Sequence, residues 1–266
     1  MKLFDSHCHL NDGVYSKDMD QVFLRANAAG VRGIMIVGID GPTSHQAVSL
    51  ARTHAKGDSV CAASVGVHPH DASACTEKIL GELTGLAKNP EVKAWGETGL
   101  DFNRMFSPQK DQEHWFVRQL EAADRLNLPL IFHERDSRGR FLEILNAHYG
   151  GPGRAGVVHC FSGSRKEMDA YLGLGLHIGV TGILTIQSRG QELRELAVHI
   201  PADRLLIETD APYLTPAPEK NQTRRNEPAF VRSVLMKLSE IRNEDPDALA
   251  QTVWDNTCRL FNIPQE

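Results

Sequence analysis

His7 and His9 stand one residue apart in SHCHL (6–10), close behind Asp5. On a strand, residues i and i+2 point the same way, so both imidazoles could reach one ion. Further along come Glu97 in VKAWGE (92–97), His133 in LPLIFH (128–133), His159 in AGVVHC (155–160) and Asp210 in LLIETD (205–210). Burying that many ionisable groups without partners is costly; cations would pair the carboxylates and occupy the imidazole nitrogens. Four histidines, a glutamate and an aspartate exceed the needs of one tetrahedral ion. Two ions bridged by a carboxylate are the economical arrangement. These ligand types suit Zn, Mn or Mg without choosing among them.

The elements that must carry these residues are eight short apolar runs: KLFD (2–5), GIMIVGI (33–39), SVCAASVGV (59–67), VKAWGE (92–97), LPLIFH (128–133), AGVVHC (155–160), GLHIGV (175–180) and LLIETD (205–210). Between them lie helical patterns. QVFLRANAAG (21–30) ends on a glycine suited to a helix C-terminus, HWFVRQLEAADRLN (114–127) sets Phe116, Leu120 and Ala123 on one face, and KEMDAYLGLG (166–175) repeats the theme. Alternating strands and helices predict parallel pairing. Eight such units in 266 residues match a single-domain α/β chain, a (β/α)8 TIM-like barrel over 1–266. An open doubly wound sheet is the rival, weakened by the lack of GxGxxG after the first strand. In a barrel the C-terminal strand ends surround one mouth. His7 and His9 follow strand one, Glu97 ends strand four, His133 strand five, His159 strand six and Asp210 strand eight. Residues 213–230 read as a long loop, and the remainder to about Ile263 as helical, packing outside the barrel.

Other polar groups share that mouth. His68, in GVHPH (66–70), is a candidate for touching substrate or leaving group, with His70 beside it. Arg135 could bind an anionic oxygen. The CFSGS turn (160–164) could offer backbone N–H groups to a phosphate. Arg225 and Asn226, in TRRNEP (223–228), either reach over the mouth to substrate or pin the last loop. Glu134 and Asp136 read as supporting or surface groups. Cys8 and Cys160 face away from their ligand neighbours, Cys61 and Cys258 read as core with Trp95, Phe116 and Phe132, and NEDPD (243–247) as a solvated helix boundary.

Composition sets outer limits. The chain is 41% hydrophobic and 24% charged, with net charge −5, which disfavours a protein that coats duplex DNA. It does not exclude an enzyme that meets nucleic acid only at its active site. Five widely spaced cysteines fit free thiols in a reducing, cytoplasmic setting. No signal-like opening and no run near about 18 apolar residues is present, so no membrane span is expected.

Taken together, FDSHCHL, GVHPH, WGETGLDF, LPLIFHERDS, GVVHCFSG, LLIETDAPYL, TRRNEP and NTCRLF resemble the TatD-family metal-dependent hydrolases, within the amidohydrolase-like barrels. The likeness runs from residue 4 to 261. It implies that His7, His9 and Asp210 hold one metal, that His133 and His159 hold the other, and that Glu97 bridges them. It links His68 to catalysis or substrate binding. Many relatives carry Asp where Asn11 stands. The family includes magnesium-dependent deoxyribonucleases, some of them 3′ to 5′ exonucleases, and members linked to removing D-amino acids from tRNA.

The expected activity is therefore divalent-metal-dependent hydrolysis of DNA phosphodiesters, with single-stranded DNA or a 3′ end as substrate. Asp210 would orient a water and accept its proton, Glu97 would bridge, and His68, Arg135 and Arg225 would contact substrate. No obligate protein partner is expected, and the chain is expected to be a monomer or weak oligomer. The alternatives are a metallohydrolase for another ester or amide, such as a D-aminoacyl-tRNA deacylase, and a non-enzymatic nucleic-acid-binding protein. The pI near 6.2 speaks against the last.

Overall fold

In a computed structural model the chain is described over residues 1–266 except 56, 58, 150–153, 218, 265 and 266. Strand and helix alternate: β1 (Leu3–Cys8), α1 (Met19–Ala28), β2 (Val31–Val37), α2 (Gly41–His54), β3 (Val60–Val65), α3 (Glu77–Leu86), β4 (Val92–Asp101), α4 (Gln109–Leu126), β5 (Leu130–Arg135), α5 (Arg140–His148), β6 (Gly156–Val158), α6 (Arg165–Gly173), β7 (His177–Val180), α7 (Gln191–Ala197) and β8 (Leu205–Ile207). α8 (Val231–Arg242) and α9 (Pro246–Leu260) follow the long loop. The strands pair in sequence order, all parallel. β1 and the segment after β8 close the ring: Asp210 N–H donates to His7 O (2.9 Å) and His9 N–H to Ala211 O (2.7 Å). The expected (β/α)8 barrel is the observed fold.

Two apolar layers hold it. One lies between strands and helices; Phe116, Phe132 and Phe141 meet there, with Phe116 and Phe141 stacked at 5.2 Å. The other fills the barrel interior with Phe4, Met35, Val37, Ala62, Ala94, Ile131, Val157 and Leu206. α9 does more than flank the barrel: Trp254 and Cys258, with Phe261 just beyond the helix, pack onto this second layer, and Trp254 lies 5.5 Å from Phe4. An apolar floor beneath leaves only the opposite end for polar chemistry.

α4 pegs two strand ends through buried glutamines two turns apart. Gln112 accepts from Asp101 N–H (2.8 Å) and donates to Asp101 O (3.0 Å) and Ser107 O (2.8 Å). Gln119 accepts from Val67 N–H (2.7 Å) and Trp95 Nε1 (3.1 Å) and donates to Val67 O (2.9 Å). Replacing Gln119 with leucine strands buried donors, so Gln119→Leu should lower unfolding free energy by about 3 kcal/mol. Urea denaturation checks this, and an unchanged midpoint would refute the peg.

At the floor, burial and the nearby Arg204 push the His177 imidazole down to about 4. Above its ordinary value near 6.5, folded and unfolded chains both carry it neutral. As pH falls from there to about 4, only the unfolded chain takes the proton, so stability is lost on acidification, by about 3 kcal/mol at most. His177→Gln should therefore lose less stability between neutral pH and pH ~4 than the parent chain. Equal losses in paired urea titrations would remove His177 from the account.

Candidate metal centre

The mouth gathers the predicted donors. His7, His9 and Glu97 form one group, His7, His159 and Asp210 an overlapping one, and His68, Glu97 and His133 a third. His7 lies within β1 rather than after it: the strand runs to Cys8, which pairs with Ile36 of β2 and bridges to Ala211. β4 runs on past Glu97 to Asp101. A bulge between Trp95 and Thr98 re-aims Glu97 inward without ending the strand. Glycines permit it: at Gly96 (φ 142°) an added Cβ would lie 2.4 Å from Ile131 O, and at Gly99 (φ 148°) 1.9 Å from His133 O. β5 likewise continues two residues beyond His133, whereas His159 falls just past the short β6 and Asp210 three residues past β8, at φ 57°.

Glu97 is buried and its two oxygens face different partners. Oε2 lies 3.4 Å from His7 Nε2 and 3.8 Å from His9 Nε2. Those nitrogens are 3.2 Å apart, and Asp210 Oδ1 is 3.8 Å from the first and 3.4 Å from the second. An ion about 2.1 Å from four tetrahedral donors sets them about 3.4 Å apart. His7 and His9 keep that spacing, 3.2–3.8 Å, to each other, to Glu97 and to Asp210. Oε1 lies 2.8 Å from His133 Nδ1, 2.9 Å from His159 Nε2 and 3.3 Å from His68 Nε2. The residues fit two divalent cations sharing Glu97.

Electrostatics favour ionised carboxylates. Burial opposes the charge on Glu97, but His159, His68 and His7 outweigh it and hold its carboxyl well below the ordinary range. Burial likewise opposes Asp210, and His9 with His159 and His7 bring it down. His159 is driven well above an ordinary imidazole by Glu97 and Glu208, against the cost of burial. Burial lowers the imidazoles of His7 and His68, and cations would supply the positive charge that the site otherwise draws as protons onto His9, His133 and His159.

Three buried acids behind the donors escaped the sequence reading. Asp101 Oδ2 accepts from His70 Nε2 (2.8 Å) and approaches His133 Nε2 (3.2 Å), bracing the ring whose other nitrogen faces Glu97. Glu208 Oε1 is 3.4 Å from His159 Nδ1 and also accepts from Cys160 N–H. Asp5 accepts from Thr209 N–H and its hydroxyl, tying β1 to the segment that carries Asp210. A carboxylate behind a ligating histidine fixes its tautomer and orientation. Asp101→Asn, which keeps an acceptor for the following turn, should weaken divalent-ion affinity about 10- to 100-fold. Competition against a chelating dye reads this directly, and unchanged affinity would show that Asp101 only folds the loop.

The remaining candidates separate. His68 and His70 stand at the cluster, their rings 4.2 Å apart. Arg135 ends β5 beside Asp101, exposed and, among the described residues, without an ion pair. Arg225 is engaged elsewhere: it donates to Asp18 at 2.7 Å through each of two nitrogens and to Val14 O, and its guanidinium lies over the Tyr15 ring. Asn226 donates to Thr209 O and Tyr213 O. These partners are those of a pinned loop. The N–H groups of Cys160, Phe161 and Ser164 are taken within the fold, which leaves those of Ser162 and Gly163 as the ones the CFSGS turn could offer a phosphate. Asn11 donates to Val37 O (3.0 Å) and Thr43 O (2.9 Å), a task that an aspartate's carboxylate could not perform. Cys8, Cys61, Cys75 and Cys160 are free thiols.

A closed parallel barrel with imidazoles and carboxylates converging at its C-terminal mouth is the framework of a metal-dependent hydrolase. The sequence model of the family described as TatD related DNase matches residues 4–262, and this chain belongs to that family. Among its relatives is the protein named 3′-5′ ssDNA/RNA exonuclease TatD of Pectobacterium parmentieri, 43% identical over 98% of this chain and 100% of that one. The protein of the same name from Escherichia fergusonii is 45% identical, covering 98% and 99%. Two solved structures share the fold at TM-score 0.87. They are the TatD homologue YJJV of Escherichia coli K12 (31% identity, 98% of both chains) and a TatD-family hydrolase of Entamoeba histolytica (27%, 99% of both).

Proposed function

We propose that this enzyme is a two-metal exonuclease that hydrolyses phosphodiesters from the 3′ end of single-stranded DNA or RNA. One observation carries the reading: Glu97 turns one oxygen to His7 and His9 and the other to His133 and His159, the arrangement of a bridge between two cations. Two divalent ions held there would lower the pKa of a bound water and neutralise charge on the phosphoryl oxygens. His7, His9 and Asp210 would hold one ion, His133 and His159 the other. Asp210 orients the attacking water and accepts its proton through a carboxylate oxygen left free of metal. His68, the nearest histidine outside this ligand set, contacts the leaving oxygen. Arg135 meets an anionic oxygen of the strand at the rim.

The names of the relatives support the choice of substrate. Mg, Mn and Zn all suit this donor set. The chain acts as one domain over 1–266, as a monomer or weak oligomer, with free thiols consistent with the cytoplasm. No described helix is long and apolar enough to cross a membrane.

The test strips the protein of metal, restores Mg, Mn or Zn singly, and follows 3′-labelled and 5′-labelled single-stranded DNA and RNA beside a D-aminoacyl-tRNA. Early release of the 3′ label as mononucleotide is expected. Deacylation of the tRNA without cleavage of any strand would overturn the nuclease in favour of another ester hydrolase. Tight binding by metal-free protein, with no hydrolysis once ions return, would leave a binding protein.

A further inference from the structure

Two large aromatic rings stand in solvent beside the donor cluster. Phe106 is 66% exposed and Tyr213 56%. Phe106, between β4 and α4, lies edge-on to His70 at 4.8 Å, and His70 in turn touches His68. Tyr213, just after β8, lies edge-on to His9 at 6.1 Å, with its N–H on Asp210 O. Strands four apart in an eight-stranded ring are on opposite sides, and Phe106 follows β4 while Tyr213 follows β8, so the two rings flank the mouth. Leaving a phenylalanine this exposed forgoes the burial energy that its ring would otherwise contribute. Its neighbour Met105 is 45% exposed and sits at φ 52°, so the loop is turned outward there.

We infer that Phe106 and Tyr213 are stacking platforms for unpaired bases on either side of the phosphate at the metal centre. This rests on the nuclease reading and specifies how that site takes its substrate. Every base has a π-face, so such platforms tolerate any sequence. A duplex keeps its bases stacked on one another and gains nothing from them. The chain's net charge of −5 offers no general attraction along the phosphate backbone, so contacts to the bases would add to the hold that the metal centre and Arg135 have on one phosphate.

The experiment compares kcat/KM for a short oligothymidylate and for the same strand carrying abasic residues at its 3′ end. Stacking on one ring changes binding by roughly 5- to 100-fold per base. Phe106→Ala and Tyr213→Ala should each reduce the base-bearing to abasic preference by such a factor, whereas Phe106→Trp and Tyr213→Phe should keep it. A preference unmoved in both alanine variants, or equally lost in the aromatic replacements, would overturn the platforms. Fluorescence anisotropy of the two labelled strands in calcium provides a second reading that needs no cleavage. If the parent protein cleaves nothing, the nuclease reading fails. The platforms then stand or fall on whether Phe106→Ala and Tyr213→Ala abolish the anisotropy difference between the strands.

Discussion

Glu97→Ala should reduce exonuclease turnover about a thousandfold or more and leave the purified protein with no more than one of two divalent ions. The side chain is 2% exposed, and both its oxygens are committed, one to the His7 and His9 side and one to the His133 and His159 side. Losing one ion forfeits several kcal/mol of charge stabilisation at the phosphoryl group, and about 4 kcal/mol is a factor of roughly a thousand in rate. Glu97→Gln is the stricter comparison, since it keeps volume and removes the charge that three histidines surround. Single-turnover kinetics beside elemental analysis decide the matter. Near-normal turnover with two ions per chain would mean that the bridge lies elsewhere.

Asp210→Asn should lower kcat by roughly 100- to 10,000-fold, the range typical of a lost general base. Here the metal count separates two roles. One carboxylate oxygen faces both His7 and His9 Nε2, at 3.8 and 3.4 Å, and asparagine can still place an oxygen there. If both ions remain while the rate collapses, Asp210 handles the proton. If the rate falls only in proportion to lost metal, it is a ligand alone, and the base must be sought among other groups at the mouth.

What could be read from the sequence was whatever repeats locally. The apolar runs marked every strand, and the donors stood out because ionisable residues at the ends of such runs need a reason to be there. Boundaries were less legible. Glu97 looked like the end of its strand, since a bulge supported by Gly96 and Gly99 cannot be told from a turn without the neighbouring backbone. The eighth run was expected to extend to Asp210, but the strand ends at Ile207, and beyond it Glu208 serves Cys160, Thr209 binds Asp5 and Asp210 makes the ring closure. Asp101, Glu208 and Asp5 all lay inside recognisable stretches, yet their roles depend on partners 32, 49 and 204 residues away. Gln112 and Gln119 were hidden for the same reason: a polar residue on a helix reads as solvent-facing until the amides that it satisfies are known.

The join that completes the barrel is made by the backbone of His7, His9 and Asp210, residues whose side chains would share an ion. Its two edges lie roughly two hundred residues apart in the chain, which makes it the most entropically remote pairing in the ring. A cation bound there only in the native state would act as a clasp, stabilising the circle by mass action. Heat tolerance would then track the free ion concentration, and withdrawal of the ion would loosen this one join before any other rung of the ladder.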